Sequence, residues 1–548
     1  MTYKSEFSAR ILVLDDERLM RLAFSAKLKS IGYDPVAVGT IEEALVIVRA
    51  HHDELRAIVT DIMMGEMDGF VFRDIVRGID STIPIFFLTA LDPEEGGGFL
   101  KRILEDPQSF YLPKSVTTDI LLKRIRQIVA SRRIEQFIEY KNEEDRKSLD
   151  LAAHIQRSML PPRALRTVRG FYTTLWLPKD VVSGDLYEAV PFGFGCYLYM
   201  LGDIQGHGTS AALAMSAVQS FLKTLGRRDT ALSLSPADIA NLLHRFFRAN
   251  LKDVSYMTAL ICVHRPLLGE VEWISCGAPD LVVEDCGVRQ VVNPEGKGGL
   301  PIGLMPDTVY SKNDVVITHV SPTALCAAYS DGLMDLSRDV EGIEKMPEEL
   351  LHQLSHEVGA GLREDGSVMA APARFMSTCA AFGYNQPQDD MTILVFGAST
   401  PVEGVYEATF PLTPEDVDKA SQAMGAWCRA QGWDDGLVGR LMVVFEEKAM
   451  NIHDHGFDDR DRLREVVSLR LRRRADAAEL TVWDYGSAEP SIRVVAGDAG
   501  TAFDMANLNM NNHGRGRLMV RELCHGIRRM RYSGLNETVY YVPFTRES

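Results

Sequence analysis

Short apolar runs alternate with helical-period stretches along the first 128 residues. ARILVLDD, DPVAVG, LRAIVTDIMM, IPIFFL and SFYLP have strand length; RLMRLAFSAKLKSIG and IEEALVIVRA, which separate the first three, space their apolar residues by three to four. This βαβ rhythm predicts a doubly wound parallel sheet over residues 8–128. From 118 to 160 the pattern is helical, with Leu121, Ile125 and Ile128 early and Leu151, Ile155 and Met159 late, and Pro161-Pro162 ends it. Its middle is strongly charged, so residues 129–164 are expected to be a coiled-coil-like linker that pairs two copies, with a solvated single helix as the alternative. Residues 165–398 are β-rich with helical inserts. After a Ser-Thr-Pro break at 399–401, residues 405–548 hold strands such as VYEATFPLT, VVSLRLRRR and ETVYYVPF with two helices between the first pair.

The 548 residues are enough for about three to four domains, in line with these segments. The 59 Lys and Arg against 76 Asp and Glu leave a charge of −17, which argues against direct, sequence-blind nucleic-acid binding. No run approaches the roughly 20 apolar residues of a membrane helix, and no apolar stretch opens the chain as a secretory signal would. The eight cysteines form no C-x-x-C pair, so reduced thiols in a cytoplasmic protein are expected.

The chemistry gathers at strand ends. In the first segment Asp15 and Asp16 follow ILVL, Asp61 ends AIVTD, Thr89 follows IPIFFL and Lys114 follows SFYLP. Parallel sheets bind ligands at these carboxyl edges. Three carboxylates there repel one another unless a hard cation such as Mg²⁺ sits among them, and a hydroxyl with an ammonium suits a phosphoryl group. LDDE, TDIMMGEMDG, LTA and LPKS resemble the receiver domain of two-component response regulators. The resemblance implies that Asp61 accepts phosphate, Asp15 and Asp16 hold Mg²⁺ with it, and Thr89 and Lys114 read the phosphoryl oxygens. Phe110 takes the aromatic switch position, while Gly65 and Ser115 stand where Pro is common.

In the second segment Asp185, Asp203, Asp331 and Asp389 lie beside strand ends or turns, several next to Gly. Dispersed Asp residues of this kind suit a two-metal site that lowers the pKa of water for in-line attack on phosphorus, with Mn²⁺ or Mg²⁺ rather than Zn²⁺. AAHIQRSMLPP, VSGDLYE, LGDIQGHGTSAALAM, MTALICV, GLPIGLMPD, YSDGLMD and DDMTILVF resemble the PP2C class of serine/threonine phosphatases, in the branch related to stage II sporulation protein E. That implies a β-sandwich flanked by helices. Asp203 bridges both metals, Asp185 and the Ile204 carbonyl bind one, and Asp331 and Asp389 bind the other. Glu188 and Ala278-Pro279 depart from the branch pattern without touching these ligands. The helix near 209–225 is the branch's regulatory element.

In the third segment Glu447, Asn451 and His455 share one helix face. An amide there can hold Mg²⁺ while the carboxylate takes a proton from an attacking hydroxyl. Asp484 stands in WDYG, and Gly514 and Gly516 precede a helix whose N–H groups can meet phosphate. The set resembles the Bergerat ATP-binding α/β sandwich of anti-sigma-factor serine kinases. That implies Glu447 as general base and Asn451 as Mg²⁺ ligand, with Asp484 on the adenine amino group. His455, Gly486 and Thr538 complete the ATP site, with Gly514 and Gly516 at the phosphates. Ala488 replaces a frequent Gly.

The expectation is a multidomain α/β and α+β response regulator with two opposed enzymes. A sensor histidine kinase supplies its phosphate, and an anti-anti-sigma factor with a STAS domain is the substrate, placing a sigma or anti-sigma factor downstream. Receiver phosphorylation favours dephosphorylation of that substrate. The alternatives are a C-terminal module that binds ATP and sequesters a partner without transferring phosphate, and a scaffold with a dead phosphatase.

Overall fold

The computed structural model describes residues 10–544 apart from 65–66, 90–100, 104, 115–117, 194, 207, 227–233, 252–255, 286–287, 291–292, 294, 351, 354–355, 357–367, 458–464 and 488–514. It divides into two compact units, Met1–Lys147 and Ser148–Ser548.

In the first unit, β1 (Arg10–Leu14), β2 (Asp34–Val38), β3 (Leu55–Asp61), the short hairpin β4 (Met63–Met64) and β5 (Met67–Asp68), β6 (Ile85–Thr89) and β7 (Ser109–Pro113) alternate with helices. The five longer strands form a parallel sheet in the order β2-β1-β3-β6-β7. Apolar residues cover both faces, as parallel strands require. Leu12, Leu14, Ile58 and Phe87 pack on one side, and Ile11, Val13, Val59 and Phe86 on the other. The second cluster includes Leu122, Ile125 and Val129 from the helix Thr118–Met159.

The second unit opens with the end of that helix and continues through β8 (Ala164–Arg166), β9 (Gly170–Leu177), β10 (Asp185–Gly193), β11 (Cys196–Ile204), β12 (Met257–Arg265), β13 (Glu270–Cys276), β14 (Val282–Asp285), β15 (Val288–Gln290), β16 (Val316–His319), β17 (Leu325–Tyr329) and β18 (Met391–Ala398). They make two sheets, β10-β11-β12-β13-β16 and β15-β14-β17-β18-β9-β8. Tyr199, Trp273, Leu394 and Phe396 fill the space between them. The helices Thr209–Gly226 and Pro236–Asn250 pack on the outer face of the first sheet through Met215, Leu222 and Leu243. The helix Ala371–Ala381 packs on the second sheet through Phe375 and Cys379. The sandwich with outer helices is the architecture the motifs implied.

The rest of the unit holds β19 (Val405–Pro411), β20 (Val466–Arg473), β21 (Ala477–Asp484), β22 (Gly526–Tyr532) and β23 (Leu535–Pro543), paired antiparallel in the order β19-β20-β21-β23-β22. The helices Pro414–Ala430 and Asp435–His455 bury Met424, Leu441 and Phe445 against this sheet. Thr413 and Asp434 cap them by accepting the Asp416 and Leu437 N–H groups. Among the described residues no helix is long and apolar enough to cross a membrane.

His264 on β12 is buried in the sandwich near the rings of Tyr199 and Phe396. Burial pushes its imidazole down to about 4. Below its ordinary value of 6.5 the unfolded chain takes up a proton that the fold refuses, so stability falls with pH down to about 4. Between pH 7 and 4.5 the wild type loses about 2 kcal/mol more than His264→Phe, which has no such group. Urea melts at the two pH values check this; equal losses would contradict it.

Candidate functional site

At the carboxyl edge of the parallel sheet, Leu14 of β1 pairs with Thr60 of β3, so Asp15 and Asp61 emerge side by side. Lys114 Nζ reaches across from the end of β7, 2.6 Å from Asp61 Oδ2 and 3.7 Å from Asp15 Oδ2. The other Asp61 oxygen accepts the Ile62 N–H at 2.7 Å. Gly69 is required beneath it, since a Cβ there would lie 2.4 Å from the Asp61 carbonyl oxygen. Burial pushes the Asp15 carboxyl up, against the Glu17 N–H and the Lys114 charge. Burial also pulls on Lys114 to lower it, but the Asp61 hydrogen bond and the two carboxylates together hold its ammonium above the ordinary value. Asp16 is exposed beside this group. Thr89 ends β6, and Phe110 stacks on Phe86 at 5.2 Å. Clustered hard oxygens beside an ammonium fit Mg²⁺ and a phosphoryl group. Gly65 and Ser115 lie outside the described residues.

In the sandwich, antiparallel pairing sets Asp185 of β10 opposite Asp203 of β11. Asp331 comes from the turn after β17, and Asp389 precedes β18. Burial pushes the Asp203 carboxyl up to about 7, with repulsion from Asp331, Asp389 and Asp390 adding to it. Asp185, fully buried, is raised well above the carboxylate range by burial and then by Asp203. Among the described residues no three acidic, His or Cys side chains are gathered closely enough to hold an ion as they stand. The donor chemistry nevertheless fits hard divalent cations, because a positive charge would relieve the repulsion that raises these carboxyls.

Residues that sequence reasoning missed hold these carboxylates. Asp390 is buried while its neighbour Asp389 is exposed, and its two oxygens accept the Lys179 N–H at 2.8 Å and the Gly184 N–H at 2.7 Å. Thr392 donates to Asp185 Oδ2 at 2.6 Å, and Trp176 Nε1 donates to the Asp185 carbonyl at 3.1 Å. Gln156, near the end of the helix Thr118–Met159, donates to the Ser183 carbonyl and accepts the Ser183 N–H at 3.1 Å. Gly332 admits the close pass of the chain: a Cβ there would lie 2.0 Å from the Asp390 carbonyl oxygen. Glu188, buried three residues along β10 from Asp185, is pushed up to about 7 by burial, against the charge of Lys223.

In the C-terminal sheet unit, the helix Asp435–His455 brings Glu447 and Asn451 together, the amide donating to Glu447 Oε1 at 2.9 Å. Asp484 is buried at the end of β21. Its Oδ1 accepts from Asn536 at 2.7 Å and from the Gly486 N–H at 3.0 Å. Lys448 Nζ is 3.5 Å from Asp484 Oδ2. The His455 carbonyl accepts the Ser487 hydroxyl at 3.2 Å, and the Gly456 carbonyl accepts the Ser487 N–H at 2.7 Å, which ties the loop after Asp484 to the helix end. Thr538 is buried on β23 opposite Val482. Asn536 and Lys448 were not anticipated. Gly516 lies in the helix Arg515–Leu523, whereas Gly514 and Ala488 fall outside the described residues. A carboxylate held by an amide, with a buried Asp beyond, fits Mg²⁺ and a purine nucleotide.

Three family descriptions match successive parts of the chain. They are the response regulator receiver domain over residues 11–126, stage II sporulation protein E over 194–398, and the histidine kinase-like ATPase domain over 410–540. Asp185 precedes the second match and joins it through the β10–β11 pairing. Among curated proteins, the probable transcriptional regulator ycf27 of Porphyra purpurea is 35% identical over 122 residues, covering 22% of this chain and 47% of that protein. Response regulator MprA of Mycobacterium tuberculosis is 34% identical over 124 residues, covering 22% of this chain and 51% of that protein. The chain spans about half the length of the curated relatives it matches. Among solved structures, the RsbU and RsbW domains of Rv1364c from M. tuberculosis align at 16% identity and a TM-score of 0.37, covering 70% of this chain and 96% of that one. The SiaA-PP2C domain of Pseudomonas aeruginosa aligns at 23% identity and a TM-score of 0.38, covering 47% of this chain and 98% of that one.

Proposed function

We propose that this chain, which carries a receiver domain, a stage II sporulation protein E domain and a histidine kinase-like ATPase domain, is a response regulator controlling a protein phosphatase and an opposing serine kinase. A sensor histidine kinase supplies phosphate to Asp61. Asp15, Asp16 and Asp61 hold Mg²⁺ there, and Thr89 and Lys114 meet the phosphoryl oxygens. The phosphatase acts on phosphoserine or phosphothreonine of a STAS-type anti-anti-sigma factor, and the kinase restores that phosphate from ATP. The regulator works as a cytoplasmic homodimer joined through the helix Thr118–Met159.

The observation that carries this reading is the seating of Asp390 and Thr392, which follow Asp389 on one sheet, against Gly184 and Asp185 of the other, where Asp185 faces Asp203. Two ions, Mn²⁺ or Mg²⁺, held by Asp185, Asp203, Asp331, Asp389 and the Ile204 carbonyl would supply activated water for in-line attack on phosphorus. Asp390 and Thr392 keep the carboxylates in place for them. In the kinase, Glu447 takes the proton from the substrate hydroxyl, and Asn451 holds Mg²⁺ while keeping Glu447 oriented. Asp484 faces the adenine amino group, His455, Gly486 and Thr538 complete the ATP site, and Gly514 and Gly516 line the phosphates.

Treating the receiver with beryllofluoride tests the regulatory link. Clearance of prephosphorylated STAS protein is expected to rise roughly tenfold, an ordinary coupling energy of about 1.4 kcal/mol, and Asp61→Asn is expected to show no response. A rate that stays unchanged or falls would contradict the link.

A further inference from the structure

The wall of the nucleotide site that bears Asp484 is built against the sandwich. Tyr485, the next residue, donates its hydroxyl to the Thr174 carbonyl of β9 at 3.3 Å, and the Arg163 guanidinium lies 4.8 Å from its ring. On the other side of Asp484, Trp483 donates Nε1 to Glu537 at 2.9 Å. Glu537 is 2% exposed and accepts from Arg374, on the helix Ala371–Ala381, at 2.7 Å. Its sequence neighbours are Asn536, which holds Asp484, and Thr538. Trp483, Val466 and Leu535 join Ala164, Phe171 and Leu325 in one buried apolar cluster across this junction.

The same strand leads onward. Thr174 and Trp176 lie two residues apart on β9, hence on one face, and Trp176 holds the Asp185 carbonyl. Thr174 also donates to the Ile393 carbonyl at 3.0 Å, and the adjacent Thr392 holds the Asp185 carboxylate. Two short relays, each made of hydrogen bonds joined by a residue or two of backbone, therefore connect Tyr485 to Asp185.

We propose that the nucleotide site is completed by the phosphatase fold, with Arg374 as a positioning residue, and that Tyr485 links nucleotide occupancy to the arrangement of Asp185. The inference rests on Asp484 being the nucleotide contact. An ion pair with a buried carboxylate and a packed apolar junction resist small displacements, so a nucleotide that fixes the Asp484 loop also restrains β9. By linkage the effect is reciprocal: a restrained Asp185 tightens nucleotide binding.

Backbone hydrogen exchange on the full chain, with and without ADP at fixed Mg²⁺, tests this. ADP is expected to slow exchange at 484–487 and 536–538, and also at 174–186 by roughly fivefold or more. In Tyr485→Phe the first protection persists and the second disappears. In Arg374→Gln the ADP dissociation constant rises at least about fivefold, and Arg374→Lys, which keeps the charge beside Glu537, recovers part of it. Protection at 174–186 that is absent in the wild type, or unchanged in Tyr485→Phe, overturns the linkage. Protection at neither region removes the nucleotide reading itself, and this inference with it.

Discussion

Asp203→Asn is expected to lower divalent-dependent phosphatase turnover by about a thousandfold or more. Asp203 stands opposite Asp185 on the neighbouring strand, and burial, with repulsion from Asp331, Asp389 and Asp390, pushes it up to about 7. A cation among these groups is worth several kcal/mol of charge stabilisation at the reacting phosphate, and each 1.36 kcal/mol is tenfold in rate. The amide keeps the shape and removes the charge that calls for the cation. The metal-free variant is therefore expected to melt at or above the wild-type temperature, because the penalised charge is gone, while Mn²⁺ no longer raises its melting point. Turnover and melting curves with and without Mn²⁺ check both parts. A variant that still turns over with Mn²⁺ would sink the two-metal assignment.

Glu447→Gln is expected to slow phosphate transfer to the STAS substrate by about 10²- to 10⁴-fold, the usual contribution of a general base. Nucleotide affinity is expected to change little. Glutamine retains the oxygen that accepts from Asn451, a contact of 2.9 Å in the native protein, so the amide stays oriented. Radiolabel transfer from ATP, set beside ADP binding, separates the two effects. Full transfer by the variant would remove Glu447 from the chemistry. Absence of transfer in both proteins, with ADP still bound, would favour a C-terminal module that binds its partner without modifying it.

Much of this arrangement could be read from the chain because several sites sit where periodicity ends. The βαβ rhythm sends the loops after β1 and β3 to one sheet edge, so Asp15 and Asp61 were foreseeable neighbours. The four-residue recurrence of Glu447 and Asn451 likewise becomes one helix face. Contacts made by antiparallel register were hidden. Asp484 meets Asn536 only because β21 and β23 align those two positions, 52 residues apart. Asp389 and Asp390 look equivalent in QDD, and burial alone separates an exposed carboxylate from one that clamps Lys179 and Gly184. Gln156 stands beside the Leu151-Ile155-Met159 pattern rather than on it, and its purpose appears only when Ser183 folds onto it. The Ser-Thr-Pro break at 399–401 carries no hint of the Arg374–Glu537 pair, which bridges 163 residues.

A phosphate time course on a STAS protein with Mg-ATP and Mn²⁺, the receiver either bare or beryllofluoride-treated, tests the two opposed activities and their control together. The substrate is expected to gain phosphate with the bare receiver and to lose it with the treated one. A substrate that never gains phosphate, or whose time course is the same in both states, would contradict a bidirectional switch.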